Sequence, residues 1–126
     1  IAKRVTFLGQ VSDITPLLAA AHIFLLPSRW EGFGLAAVEA MNAALPVVAT
    51  DVPGLREVVV PAGNPIVAPD DVDGMASAIA ALLDDPARRA RLGAAGFEQA
   101  WQYDRKGMNE GYMALWSALL AERAVE

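Results

Sequence analysis

No cysteine occurs in the 126 residues, and histidine occurs once, as His22. The first absence excludes a disulfide framework, a thiolate metal site and a cysteine nucleophile, and it fits an enzyme of the cytoplasm. The second leaves no set of imidazoles to hold a metal, so no metal is expected. Basic residues are scarce: 10 Lys+Arg stand against 15 Asp+Glu, a net charge of −5. A domain that neutralises a phosphate backbone carries a basic stripe, so nucleic acid is excluded as a partner. Long apolar runs are missing too. The longest candidate, GLAAVEAMNAALPVVAT, is broken by Glu39 and Pro46 and falls short of the ~20 residues a bilayer crossing needs. The amino terminus, IAKRVTFLG, has neither a signal-peptide apolar region nor an initiator Met, and reads as part of something longer.

What is present is an excess of apolar residues. Hydrophobic side chains make up 55% of the chain before glycine is counted, where about 45–50% is usual with glycine included. Alanine supplies 25 of them, mostly in segments of helical period, where it is the best helix former.

Short apolar runs alternate with those helical segments, which is the pattern of βαβ units around a parallel sheet. Strands are expected at VTFLG (5–9), HIFLLP (22–27), PVVAT (46–50) and PIVAP (65–69). They show little alternation, so helices should cover both faces. Helices are expected at about 13–21, with Ile14, Leu17, Leu18 and Ala21 on one face, and at about 34–44, with Leu35, Val38 and Met41. A short helix follows Pro53-Gly54 at 55–59. Asp70 or Asp71 can cap a helix carrying Val72, Met75, Ala76, Ile79, Leu82 and Leu83. Asp85-Pro86 ends it and begins another, with Arg88, Arg89 and Arg91 toward solvent. A last helix, about 104–121, has Met108, Tyr112, Leu115, Trp116, Leu119 and Leu120 as an expected buried stripe. Apolar residues at helical spacing are ordinarily core, and all of these stripes are read that way. No repeat or linker divides residues 1–126, which read as one domain.

Chemistry concentrates in LLPSRWEGFGLAAVEAMNAALPVVAT, residues 25–50. The order is strand, polar loop, glycine pair, helix, strand. Gly32 and Gly34 bracket Phe33 where the loop feeds the helix, and their missing side chains let a ligand approach the backbone. The first amides of a helix lack internal partners and sit at the positive end of its dipole, which favours an anion such as a pyrophosphate. Glu31 and Glu39 flank that seat, up to about 12 Å apart at a rise of about 1.5 Å per residue. Such a pair suits two hydroxylated groups joined through a diphosphate, since carboxylates accept from vicinal diols. An acid/base pair on one glycosidic bond should stand about 5–10 Å apart, so a hydrolase fits less well. His22 lies at the amino end of its strand, away from where ligands of such sheets bind, and reads as structural. Thr50 and Asp51, at a strand's carboxyl end, read first as turn and cap residues, with donor contact as the lesser reading.

These motifs resemble the carboxyl-terminal, nucleotide-sugar-binding domain of GT-B glycosyltransferases, of the retaining group 1 (family 4) type. The Glu-x7-Glu motif of that family appears as Glu31-GFGLAAV-Glu39. VTFLGQVS, LLAAAHIFLLPS, PVVATDVPGLREVV and the tail YDRKGMNEGYMALWSALL also match, so the resemblance covers nearly the whole chain. It implies a nucleotide diphosphate sugar as donor, Glu31 on the donor sugar as the catalytic residue, and backbone from Gly32 through Phe33 and Gly34 to Leu35 on sugar and diphosphate. It further implies Glu39 on the ribose. Arg29, near the seat in sequence, reads equally as a phosphate ligand or as a surface residue. No cofactor or tightly bound metal is implied. Three departures stand out: His22 where the family has Asp, Ala44 where it has Gly, and Pro53-Gly54 where Gly-Gly is frequent.

The resemblance makes VTFLG the third strand of a Rossmann-like, doubly wound sheet of order 3-2-1-4-5-6, an incomplete one whose first two strands would precede residue 1. The basic pair that neutralises the diphosphate and an amino-terminal acceptor domain would lie there as well. The fourth strand then has an open edge: either the third strand shifts to pair with it, or a second copy covers it. The function implied is transfer of a sugar with retention, cytoplasmic or peripheral to a membrane in a longer enzyme, with the chain alone inactive. The alternative is a non-catalytic nucleotide-binding or interaction module of the same fold.

Overall fold

The structure, a computed structural model, describes residues 2–123. Three short parallel strands form an open sheet in the order β1 (Phe24–Leu26), β2 (Val47–Thr50), β3 (Ile66–Val67). Phe24 stands opposite Val47, and Ala49 opposite Ile66. Helices α1 (Thr15–Ala20), α2 (Leu35–Asn42), α3 (Leu55–Val59), α4 (Val72–Asp84), α5 (Pro86–Ala100) and α6 (Arg105–Arg123) fill the connections and the tail, with short 3-10 turns at Ala2–Arg4 and Trp101–Tyr103. The expected fold class, a parallel α/β sheet flanked by helices, is what forms.

All four residues of β2 are buried, as its uninterrupted apolar run requires. Val47 and Ala49 join Ala37, Ala40, Met41, Leu55, Val58 and Val59 in one cluster beneath α2 and α3. Val48 and Leu82, both fully buried, lie outside that cluster, and α4 packs against β2. Helices therefore cover both faces of the central strand. Asn64, 4% exposed, accepts from the Val47 amide at 2.9 Å and pins the start of β2.

The outer layer is α5 on α2, through small residues. A Cβ added to Gly93 would lie 2.1 Å from the Ala44 carbonyl oxygen, and one on Gly96 3.2 Å from Met41. The α2 terminus is a Schellman motif: the Leu45 amide donates to Ala40 O at 3.0 Å and the Ala44 amide to Met41 O at 2.9 Å. Ala44 occupies the left-handed position, with φ of 55°, which explains glycine there in the resembling family. Of the two expected candidates Asp71 caps α4, accepting from the Gly74 amide at 2.8 Å, and Asp85 caps α5, accepting from the Arg88 amide at 2.8 Å.

Several expectations are corrected. Residues 5–9 form no strand, and Val5, Phe7 and Leu8 are exposed. In the expected strand order their neighbour is the second strand, and no such strand lies among the described residues. They do not shift onto β1 either. The stripe on α6 is exposed along its length, from Met108 at 54% to Trp116 at 61% and Leu120 at 62%, because the described residues fold no element over it. On α1 only Leu18 packs against the core, and on α4 Val72 and Leu83 face outward. Arg89 does not simply face solvent: its guanidinium donates to the carbonyls of Leu82 and Leu83 and closes the carboxyl end of α4.

Candidate functional site

The candidate residues gather where the strands end. After β1 the chain runs through Pro27, Ser28, Arg29 and Trp30 to Glu31 and the glycine pair before entering α2. Thr50, at the end of β2, donates its hydroxyl hydrogen to Ser28 O and so ties the loop to the sheet. That hydroxyl is committed within the fold, as the turn reading anticipates.

Two glycines let the loop fold this way. Gly34 has φ of 88° and is the residue before α2; a Cβ there would lie 2.7 Å from Leu55. Gly54 has φ of 86° and lies under the loop, where a Cβ would come within 2.9 Å of both the Glu31 and Gly32 carbonyl oxygens. Any other L residue at either place is strained in its backbone and in its contacts. The Gly54 amide donates to Glu57 Oε2 at 2.9 Å, and Pro53 has no amide hydrogen. Neither residue of the Pro53-Gly54 pair offers a free amide to a ligand.

At α2 the situation is reversed. Ala37 and Val38 amides both donate to Gly34 O, and no side chain caps the helix. Among the described residues nothing accepts from the amides of Leu35 and Ala36. Whereas α4 and α5 begin with their own carboxylates in place, α2 begins open, beside half-buried Glu31. Its first amides and dipole remain available to an anion.

The other candidates are placed as follows. Glu39, the fifth residue of α2, is exposed and borders two grooves on the flanks of that helix. One, about 370 Å³, also involves Val38, Trp101, Tyr103 and Asp104. The other, about 240 Å³, involves Ile14, Thr15 and Leu18. Glu31 lines neither of these two grooves; it lies in the loop, and Glu39 on the helix. Phe33 packs edge-to-face on Tyr103, ring centroids 5.4 Å apart. Leu35 is exposed. Arg29 reaches across to Asp70 at 2.8 Å, both side chains largely in solvent; Arg56 pairs with Asp51. Both cations nearest the loop in sequence are thus already held by carboxylates. Asp13 accepts from the Thr15 amide at 2.9 Å, and hydrogen bonds from Thr15 hold its carboxyl below the ordinary value. His22 is exposed ahead of β1, away from the loop.

A third pocket, about 340 Å³ and mainly apolar, opens between the strand ends and α4, bounded by Pro27, Thr50, Ala68, Asp70, Met75 and Ile79. Sequence reasoning missed this pocket, the support from Gly54 and the part of Tyr103, because each joins segments far apart in the chain. Among the described residues no group of three His, Cys, Asp or Glu side chains could hold a metal ion. Among the described residues no helix is long and apolar enough to cross a membrane.

An open parallel sheet with a glycine-bracketed loop entering an uncapped helix at its strand ends is the architecture of α/β proteins that bind ligands outside the carboxyl ends of the strands. Comparison with known proteins names the family. The sequence profile of "Glycosyl transferases group 1" matches residues 1–85. The chain is 41% identical over 99 residues to the lipopolysaccharide core biosynthesis mannosyltransferase LpsB of Rhizobium meliloti, covering 76% of this chain and 28% of that one. It is 38% identical over 119 residues to the GDP-mannose-dependent monoacylated alpha-(1-6)-phosphatidylinositol monomannoside mannosyltransferase of Corynebacterium glutamicum, covering 85% and 31%. Among solved structures, sucrose-phosphate synthase from Thermosynechococcus elongatus superposes with a TM-score of 0.79 at 37% identity, over 92% of this chain and 31% of that one. The chain belongs to the group 1 glycosyl transferases, of GT-B fold. It spans less than a third of the length of each of these proteins.

Proposed function

We propose that the chain is the donor-binding half of a retaining glycosyltransferase that moves a sugar from a nucleotide diphosphate sugar to an acceptor. The observation that carries this reading is the open start of α2: Gly32 to Leu35 present backbone and a helix dipole at the strand ends, with Glu31 beside them and Glu39 one turn into the helix. Glu31 accepts from hydroxyls of the donor sugar, Glu39 from the ribose, and the amides meet the diphosphate. As the bond from the anomeric carbon to the diphosphate breaks, charge grows on the leaving oxygen, where preorganised amides are most effective. The acceptor oxygen bonds to the same face of that carbon, and its proton leaves with the diphosphate. No metal takes part. The remainder of a longer enzyme supplies the acceptor site and further cationic charge, because Arg29 must leave Asp70 to serve as a phosphate ligand. The site of action is the cytoplasm or the membrane surface facing it, and the chain alone binds donor without transferring it.

Titration with UDP-glucose, GDP-mannose and ADP-glucose tests the proposal. Saturable binding of one of them, weakened about tenfold or more by Glu39→Ala, is expected, as for loss of a hydrogen-bonded charged group. Binding of none, or binding indifferent to that substitution, contradicts it.

A further inference from the structure

Three groups far apart in sequence converge on the loop that carries Glu31. Tyr103 lies in the short turn between α5 and α6, half-buried against the core. Its ring meets Phe33 edge-to-face, 5.4 Å between centroids at 81°. Its hydroxyl donates to the Glu57 carbonyl at 3.1 Å and accepts from Gln99 Nε2 at 3.2 Å. Glu57 in turn holds the Gly54 amide through its carboxylate, and Gly54 is the residue on which the Glu31 and Gly32 carbonyls rest. The ring thus touches the loop from one side through Phe33, while the hydroxyl steadies its support from the other through Glu57.

We propose that Tyr103 is a positioning residue for the donor seat, fixing the pose of Glu31 to Gly34 through Phe33 and through the Glu57–Gly54 pair. The proposal rests on the reading of that loop as the donor seat. An isolated glycine-bracketed loop samples many conformations, and a ligand selecting one of them loses affinity in proportion to the fraction that is competent. An aromatic pair with preferred edge-to-face geometry and a hydrogen bond to a fixed carbonyl narrow that sampling at two points. Tyr103 acts through its neighbours, and the turn that carries it joins the loop to the start of α6.

The test compares Tyr103→Leu, Tyr103→Phe, Phe33→Leu and, as a control on the same junction, Phe97→Leu, whose ring packs on Trp101 and not on the loop. Each is read by thermal unfolding, by the amide resonances of Gly32, Gly34 and Gly54, and by titration with UDP-glucose, GDP-mannose and ADP-glucose below the unfolding range. Tyr103→Leu should shift the Gly32 and Gly34 amides and weaken donor binding about tenfold; Tyr103→Phe should shift Gly54 and weaken it by about threefold, as for one neutral hydrogen bond. Because Tyr103 also borders the groove beside Glu39, Phe33→Leu attacks the same pair from the opposite side. The double variant should then be no worse than the weaker single one. Phe97→Leu should lower the melting temperature while leaving affinity and loop amides in place. Tyr103 variants that melt earlier yet keep wild-type affinity and unmoved Gly32 and Gly34 amides overturn the proposal. If Tyr103→Leu does not fold, Tyr103→Phe decides by the same readings. If the wild-type chain binds none of the three nucleotide sugars, the donor reading fails on its own, and the loop amides still judge whether Tyr103 positions the loop.

Discussion

Residues 46–50 and residues 5–9 have the same kind of sequence and opposite outcomes. PVVAT yields a fully buried central strand, and VTFLG yields an exposed, unpaired segment in which Phe7 is 94% accessible. The same contrast separates the helices. Met41 on α2 is completely buried under Gly96 of α5, whereas Leu115, Trp116 and Leu119 at comparable spacing on α6 lie open. An apolar pattern therefore states that a face is suited to burial; whether it is buried depends on which neighbours the described residues supply. Strands make this plainest, because a parallel strand forms its backbone hydrogen bonds only with another segment.

If neighbours decide, substitutions where neighbours are closest should cost most. Gly93→Ala puts a Cβ 2.1 Å from a backbone carbonyl that cannot give way cheaply. We expect a loss of about 3 kcal/mol, at the upper end for overpacking, measured by chemical denaturation. A near-neutral result would mean that α5 does not seat on the end of α2 as described. Ala44→Gly should act in the other direction: relieving a left-handed alanine within an intact Schellman motif should stabilise by about 1 kcal/mol and raise the melting temperature by about 4 °C. No gain there would break the account of that terminus. On the open side, Leu119→Ala should change stability by less than about 0.5 kcal/mol, as for a surface position. A loss of several times that amount would show that α6 is covered in solution.

How far these features were legible depended on the distance between the residues that make them. Local signals were read correctly: the Pro-bounded runs around β1, β2 and β3, a cap at Asp70 or Asp71, which proves to be Asp71, and the break at Asp85-Pro86. The loop with Glu31, the two glycines and the helix carrying Glu39 was also legible, since it is contiguous. What escaped was long-range. Arg89 closing α4 was hidden because charge clusters ordinarily face water, and the Tyr103–Phe33 and Gly54–Glu31 contacts join segments 70 and 23 positions apart in the numbering. The expected strand at 5–9 failed for the complementary reason, since its local pattern was good and no partner strand lies among the described residues. The loss of Arg29 and Arg56 to Asp70 and Asp51 likewise depends on tertiary placement, and it leaves the positive charge that a diphosphate needs to groups beyond the described loop.

The central claim is that the open start of α2 seats a nucleotide diphosphate sugar. Amide spectra of the chain titrated with UDP-glucose, GDP-mannose and ADP-glucose test it most directly. The account predicts that one of them moves the amides of Gly32, Gly34, Leu35 and Ala36, with Glu39 following, while Met113 to Leu119 on α6 stay in place. Titrations that leave the Gly32 to Ala36 amides unmoved by all three nucleotide sugars, or that move only α6, would contradict it.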